Sequence, residues 1–337
     1  MTVSSLPEHG GRLERAIREW GIPRHQWLDL STGLNPQSWP IPAIPDSVWQ
    51  RLPEADDGLP EIIRDWCGAP EAAHCLPVAG SQAAIQTLPY LRPPCRVGIP
   101  VPGYREHGYW WQRAGHDLVP IPLEQIADND DWLETLEGLV WINPNNPVGL
   151  TLPAEQLRGW HRRLQARGGF LVVDEAFVDP LRDSSIAPYA GAHGLVVLRS
   201  LGKFFGLAGI RAGAVLSDEL TILALAERLG PWAMSGPARY IMSRALADRH
   251  WQRVTGQKLA SASARLHGLL AACGLGDSRG TRLFRYLPHP DARRIHRLLA
   301  SRGVLVRLFD TPPALRFGLP GREPEWQRLA AALVECH

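Results

Sequence analysis

The stretch VLRSLGKFFGLAGIRAG, residues 197–213, runs from a β-branched segment through Ser200 and Lys203 to Arg211. Lys203 is one of only two lysines in 337 residues, and arginine supplies the other 34 of the 36 basic side chains. Lysine can lose its proton and become a nucleophilic amine, and arginine cannot. A lysine kept between small and apolar residues therefore reads as a chemical group.

Outward from this stretch the chain alternates. HCLPVAG (74–80) leads into a helical SQAAIQTLPYL, and RVGIPVP (96–102) precedes a helical stretch near 105–114. GLVWIN (138–143) ends in a turn before LPAEQLRGWHRRLQARGG, a helix with Pro153 near its start and glycines beyond its end. FLVVDEAF, GLVVLRS and RAGAVLS are three further short apolar runs. Such alternation predicts an α/β domain with a mostly parallel, buried sheet over about 60–230. From 235 a long helical region is followed by short strands near 281–287, 303–308 and 314–318, with helices between and after, a smaller α+β C-terminal domain. Upstream, Leu13, Ala16, Ile17 and Trp20 recur at helical spacing and Gly21 stops the helix. Residues 31–60, rich in Pro, Gly, Asn and Ser, read as an irregular arm. The expected division is an arm over 1–35, a large domain over 36–232 and a small domain over 233–337.

Composition narrows the function. Hydrophobic content of 45% and charged content of 21% describe an ordinary soluble globular protein. A net charge of +2 without a dense basic run gives no footprint for nucleic acid. The longest apolar stretches, such as GLVVL at 194–198, fall far below the roughly 20 residues of a membrane span, and the start has no signal-peptide core. The 13 tryptophans are scattered and read as packing residues. Cysteines 67, 75, 95, 273 and 336 show no C-x-x-C spacing, so a reduced, cytoplasmic chain is expected. The 12 histidines form no metal-ligand spacing, and no G-x-G-x-x-G follows a strand. Neither a metal site nor a dehydrogenase is expected.

In open α/β sheets, ligands bind at the carboxyl ends of strands. Four such ends carry suggestive residues: Asp174 in VVDEAF, Ser200 and then Lys203 in VVLRSLGK, Asn143 and Asn146 in VWINPNNPVG, and Gly80, Ser81 and Gln82 in VAGSQAAIQ. Each alone has a bland explanation as a cap, a turn or a surface charge. One cofactor uses them all. Pyridoxal phosphate needs a lysine amine for its Schiff base, a carboxylate facing the pyridine nitrogen, and a phosphate cup of backbone N–H groups, hydroxyls and an arginine. Tyr104, in VPGYREHGY, could lie against the ring face.

SLGKFFGLAGIRAG resembles the Ser-x-x-Lys…Arg signature of fold-type-I pyridoxal-phosphate enzymes, the aspartate-aminotransferase superfamily. NPNNPVG resembles that family's Asn-Pro-x-Gly turn and VVDEAF its aspartate strand. The resemblance implies Lys203 as the Schiff-base lysine, Asp174 opposite the ring nitrogen, Asn146 near the ring hydroxyl and Tyr104 stacked on the ring. It places Ser81, Gln82, Ser200 and Arg211 around the phosphate, and Arg316, in ALRFGLP, where the family binds the substrate carboxylate. Phe177 departs from the pattern, since many relatives have a tyrosine there.

The N-terminal segment EHGGRLERAIREWGIPRHQWLDLSTGLNP resembles the start of the cobalamin-biosynthesis threonine-phosphate decarboxylases, with His-Gly-Gly, a helix and Asp-x-Ser-x-x-x-Asn-Pro. That likeness implies decarboxylation of L-threonine O-3-phosphate to (R)-1-amino-2-propanol O-2-phosphate by a homodimer sharing its sites. His9, Asn35, Arg307 and Arg316 are the candidates to hold the substrate's phosphate and carboxylate. The alternative is a histidinol-phosphate-type aminotransferase, in which Leu52 would replace a tyrosine directed at the neighbour's phosphate. A penicillin-binding-type hydrolase shares S-x-x-K but also needs K-T-G, and the second lysine, Lys258, is followed by Leu259. A cofactor-binding protein without turnover is disfavoured by the intact Lys, Asp and Arg set.

Overall fold

The structure, a computed structural model, describes residues 7–127, 130–179 and 182–334. Helix α1 (Leu13–Trp20) and strand β1 (Leu28–Asp29) lead into α2 (Asp46–Gln50) and α3 (Leu59–Cys67). The short helix α2 interrupts a stretch expected to be irregular throughout. Next come β2 (His74–Val78), α4 (Ser81–Thr87), β3 (Arg96–Val101), α5 (Arg105–Arg113), β4 (Asp117–Pro122) and β5 (Gly138–Ile142). They are followed by α6 (Ala154–Gln165), β6 (Phe170–Asp174), β7 (Leu195–Ser200), β8 (Gly213–Ser217) and α7 (Glu219–Leu229). Helices α8 (Gly236–Ala247) and α9 (Arg249–Ala272) precede β9 (Arg279–Gly280), β10 (Phe284–Pro288), α10 (Ala292–Ser301), β11 (Val304–Leu305), β12 (Arg307–Asp310), β13 (Pro313–Gly318) and α11 (Glu323–Val334).

Strands β2 to β8 form one seven-stranded sheet in the order β2-β8-β7-β6-β5-β3-β4. The pairs β3–β4, β3–β5, β5–β6 and β6–β7 are parallel, whereas β8 runs antiparallel to both β2 and β7. Every residue of β5, β6, β7 and β8 is buried, as expected for strands covered on both faces. Side chains alternate between two cores: Leu171 and Val173 enter one, Phe170 and Val172 the other. Burial of each such aliphatic chain contributes about 1.5–3 kcal/mol.

The reversed strand positions the site. Antiparallel pairing sets Gly213, the first residue of β8, opposite both Ser200 at the end of β7 and Val78 at the end of β2. Residues just before β8 therefore meet those just after β2 and β7. Parallel pairing of β5, β6 and β7 brings Ile142, Asp174 and Leu198 level on the same edge.

The C-terminal region has a four-stranded antiparallel sheet in the order β12-β13-β10-β9, flanked by α10 and α11. β1 pairs in parallel with β11, and Gly318 N–H donates to the Leu30 carbonyl (2.7 Å), which stitches the N-terminal segment onto this sheet. The chain then runs beside the lysine segment, where Asn35 N–H donates to the Lys203 carbonyl (3.0 Å) and Trp39 N–H to that of Phe205 (2.9 Å).

Candidate active site

Lys203 lies three residues beyond β7 and keeps only a partly open face. Burial pushes its amine down to about 8, the neighbouring Arg316 cation adds to the effect, and Asp174 opposes it. At pH 7 about a tenth of such amines are neutral, against well under a thousandth for an ordinary lysine. The Nζ atom sits 5.5 Å from the centroid of the Phe177 ring, which supplies a face and no hydrogen-bond donor.

Asp174 closes β6 and is buried. Its Oδ1 accepts from the Ala176 N–H (3.0 Å) and its Oδ2 from His107 Nε2 (2.9 Å). His107, 1% exposed, is a residue of the candidate site that the sequence pattern did not single out. Its signal was present, since His107 and Trp111 stand four residues apart on the buried face of α5.

The start of α4 forms a cup. Gly80 has φ +74, and a Cβ there would lie 2.9 Å from Arg211 Nη2, so the guanidinium closes directly over the glycine backbone. Arg211 itself holds φ 55, an uncommon value for a side-chain-bearing residue, and donates to the Ala208 carbonyl (3.1 Å). Ser200, level with Gly213, borders the same corner, and its Oγ accepts from the Gly202 N–H (3.3 Å). The N–H groups of Ser81 and Gln82 belong to the first turn of α4 and have no partner within the helix. Gln82's side chain is engaged at both ends, donating to Glu106 Oε2 (2.8 Å) and accepting from the Tyr104 hydroxyl (3.1 Å). Burial, then Glu106 and Asp174, raise the Tyr104 phenol above its ordinary range. Tyr104 stays a neutral ring edge-on to His107, with centroids 6.0 Å apart.

On the opposite side Arg316, in β13, donates to Asn146 Oδ1 and to the Ser31 carbonyl (3.0 Å). Burial, reinforced by Arg307, lowers it to about 10, and its Nε has no hydrogen-bond partner. Arg307 donates to the carbonyls of His9 (3.0 Å) and Glu8 (2.7 Å), so it grips the N-terminal segment. His9 Nε2 donates to Glu106 Oε1 (2.7 Å), and its ring lies 5.6 Å from that of Tyr104. Asn35 is set differently. Its amide donates to the Phe204 carbonyl (2.9 Å) and accepts from the Gln37 N–H (2.9 Å), which makes it an anchor of the lysine segment.

The geometry thus joins Lys203, Asp174, Arg211 and Arg316 around one space, with the Asn146–Arg316 pair on one wall and the Tyr104–Gln82 pair on another. Its donor set fits pyridoxal phosphate. The bare Gly80 backbone under Arg211 and the first-turn N–H groups of α4 make an anion cradle, and the unpartnered, buried Arg316 Nε calls for a second anion. An amine of lowered basicity stands between them. Among the described residues, no group of three or more His, Cys, Asp or Glu side chains could hold a metal ion, and no helix is long and apolar enough to cross a membrane.

This fold and site define a class. The family Aminotransferase class I and II matches residues 62–333, and the chain belongs to that family. It is 47% identical over 327 residues to the threonine-phosphate decarboxylase of Pseudomonas aeruginosa, covering 97% of both chains. It is 39% identical over 332 residues to the threonine-phosphate decarboxylase of a Sinorhizobium species, again covering 97% of each. The fold is similar to that of the histidinol-phosphate aminotransferase from Sinorhizobium meliloti in complex with pyridoxal-5'-phosphate, with a TM-score of 0.79 and 23% identity, covering 98% of this chain and 95% of that one.

Proposed function

We propose that the protein is a pyridoxal-phosphate-dependent decarboxylase of L-threonine O-3-phosphate, forming (R)-1-amino-2-propanol O-2-phosphate for cobalamin biosynthesis. The observation that carries this conclusion is the 47% identity over 97% of both chains to a threonine-phosphate decarboxylase. The site supports it, because it offers a nucleophilic amine among several cations, as a substrate with both a carboxylate and a phosphate requires.

When bound, pyridoxal phosphate supplies an aldehyde for the substrate amine and a ring that takes up the electron pair left at Cα. The chain's residues decide the rest. Ser81, Gln82, Ser200 and Arg211 would hold the cofactor's phosphate, Gln82 through its backbone N–H. Asp174, oriented by His107, would face the pyridine nitrogen, Asn146 the ring hydroxyl and Tyr104 the ring face. Arg316 would bind one substrate anion with its free N–H, while Arg307 holds the N-terminal segment so that His9 faces the other; Asn35 acts by holding the lysine segment in place. Lys203 would form the covalent link to the cofactor and, once the substrate amine has displaced it, would in its ammonium form return a proton to Cα in place of the departed carbon dioxide. Which Cα bond breaks is set by the arginine that holds the carboxylate.

The test is direct. Purified protein with the cofactor is given L-threonine O-3-phosphate, and released carbon dioxide and the amine product are measured. Stoichiometric release sustains the proposal. Amino transfer from histidinol phosphate to 2-oxoglutarate without carbon dioxide would select the aminotransferase alternative.

We place the cofactor domain over 36–232 and the small domain over 233–337, with 1–35 as an arm whose helix packs with the small domain. The protein is proposed to work as a cytoplasmic homodimer. Ile41, Trp49, Leu52 and Trp232 are exposed on adjoining segments, with Gly236 against the Val48 carbonyl, and they form an apolar surface suited to a second copy.

A further inference from the structure

Glu106 is 7% exposed and lies in the first turn of α5, beside the cofactor cup. Its carboxylate gathers three donors: His9 Nε2 at Oε1 (2.7 Å), and Gln82 Nε2 and Trp110 Nε1 at Oε2 (both 2.8 Å). A buried carboxylate placed next to a phosphate site opposes anion binding unless it does something else. Here it links two parts of the molecule. Gln82 opens the helix of the cup, whereas His9 belongs to the N-terminal arm.

The arm is otherwise fastened to the small domain. Arg307, at the start of β12, holds the Glu8 and His9 carbonyls. The His-Gly-Gly motif explains itself here. A Cβ on Gly10 would lie 2.3 Å from the Ser31 carbonyl, and Gly11, at φ +76, donates its N–H to Ser31 Oγ (2.8 Å). The glycines let the arm lie flat on the segment that also accepts from Arg316. The His9 side chain is then turned to the large domain, where Glu106 receives it and leaves Nδ1 as its remaining polar atom.

We propose that Glu106 is a positioning residue for the substrate's phosphate: it fixes the His9 ring beside Tyr104, so that the arm, held from the other side by Arg307, presents His9 to that anion. This rests on the decarboxylase reading and adds a specificity determinant to it. Glu106 touches neither the reacting carbon nor the cofactor ring in this role. It sets how tightly a phosphorylated substrate binds, and leaves the rate of the bound complex to Lys203.

The test compares holoenzymes of wild type, H9A, E106Q, E106D and the double variant H9A/E106Q. Loss of one charge-assisted bond predicts a rise of about tenfold in KM for L-threonine O-3-phosphate in E106Q, with kcat changed less than about threefold. Competitive inhibition by inorganic phosphate weakens in parallel, and E106D restores part of both. H9A/E106Q shows the KM of H9A alone, because one contact is removed twice. Multiplying effects, or cofactor loss in E106Q at unchanged KM, overturn the proposal and assign Glu106 to the cup. Trypsin cleavage after the exposed Arg12 and Arg15 reads the latch without substrate. It is expected about tenfold faster in E106Q, and an unchanged rate overturns the latch even in a protein whose natural substrate proves different.

Discussion

Lys203 illustrates how one side chain links stability to reactivity. Its amine is brought from the ordinary 10.5 down to about 8 by burial and by Arg316. Between these values the unfolded chain keeps the proton and the folded protein without cofactor has released it. Stability of that form should rise as pH increases from about 8 to about 10.5. The gain, allowing for the partly open face, is about 2–3 kcal/mol. Denaturant melts across this pH range should show the rise in wild type and not in K203M, and K203M should be the more stable of the two at pH 7. K203M should also lose turnover and the covalent cofactor link trapped by borohydride. His107 acts at the same scale. Replacement by Phe leaves Asp174 Oδ2 buried without its donor, a loss of about 1–3 kcal/mol, so kcat/KM should fall roughly 10- to 100-fold. A steady-state assay with saturating cofactor measures it. Lys203 and Asp174 were legible in the sequence because each ends a recognisable apolar run. His107 and Glu106 were not, since their partners lie 67 and up to 97 residues away and nothing local marks the meeting.

At the level of elements, the alternation of runs was enough to foresee an α/β sheet, and the apolar strands read correctly because burial on both faces leaves no polar alternation. The direction of β8 was not legible. RAGAVLS is equally compatible with either sense, because a fully buried strand carries no mark of its direction, and the link over 201–212, which carries no α-helix, brings β8 back antiparallel to β7. That direction makes the cup, by setting Arg211 over Gly80. Gly80→Ala is therefore a test of an element junction. The new methyl group meets Arg211 Nη2 at 2.9 Å in a residue already at positive φ, so both the backbone and the guanidinium must shift. Cofactor affinity should fall about tenfold or more, since a charge-assisted phosphate contact is displaced. Titration of the apoprotein with pyridoxal phosphate reads it, and unchanged affinity would remove Arg211 from the cup.

For the whole molecule the exposed apolar residues matter most. Trp49, Leu52 and Trp232 are each about 60% exposed, and the proposed homodimer would cover them. Trp49 lies in α2, Leu52 just beyond it, and Trp232 in the link between α7 and α8, while α2 packs on α8. Symmetric pairing of two such surfaces covers each patch with the same patch, which a closed two-fold dimer requires. The same segments run on to Trp39 and Asn35 beside Lys203, so pairing would steady the lysine segment as well as hide the tryptophans. Trp49→Glu combined with Leu52→Glu removes about 3–6 kcal/mol of apolar burial per protomer and sets like charges together across the axis. Sedimentation should show wild type as a dimer and the double variant as a monomer at micromolar concentration, with turnover reduced in proportion to the monomer fraction. A wild-type protein that sediments as a fully active monomer would mean that these tryptophans face something other than a second copy.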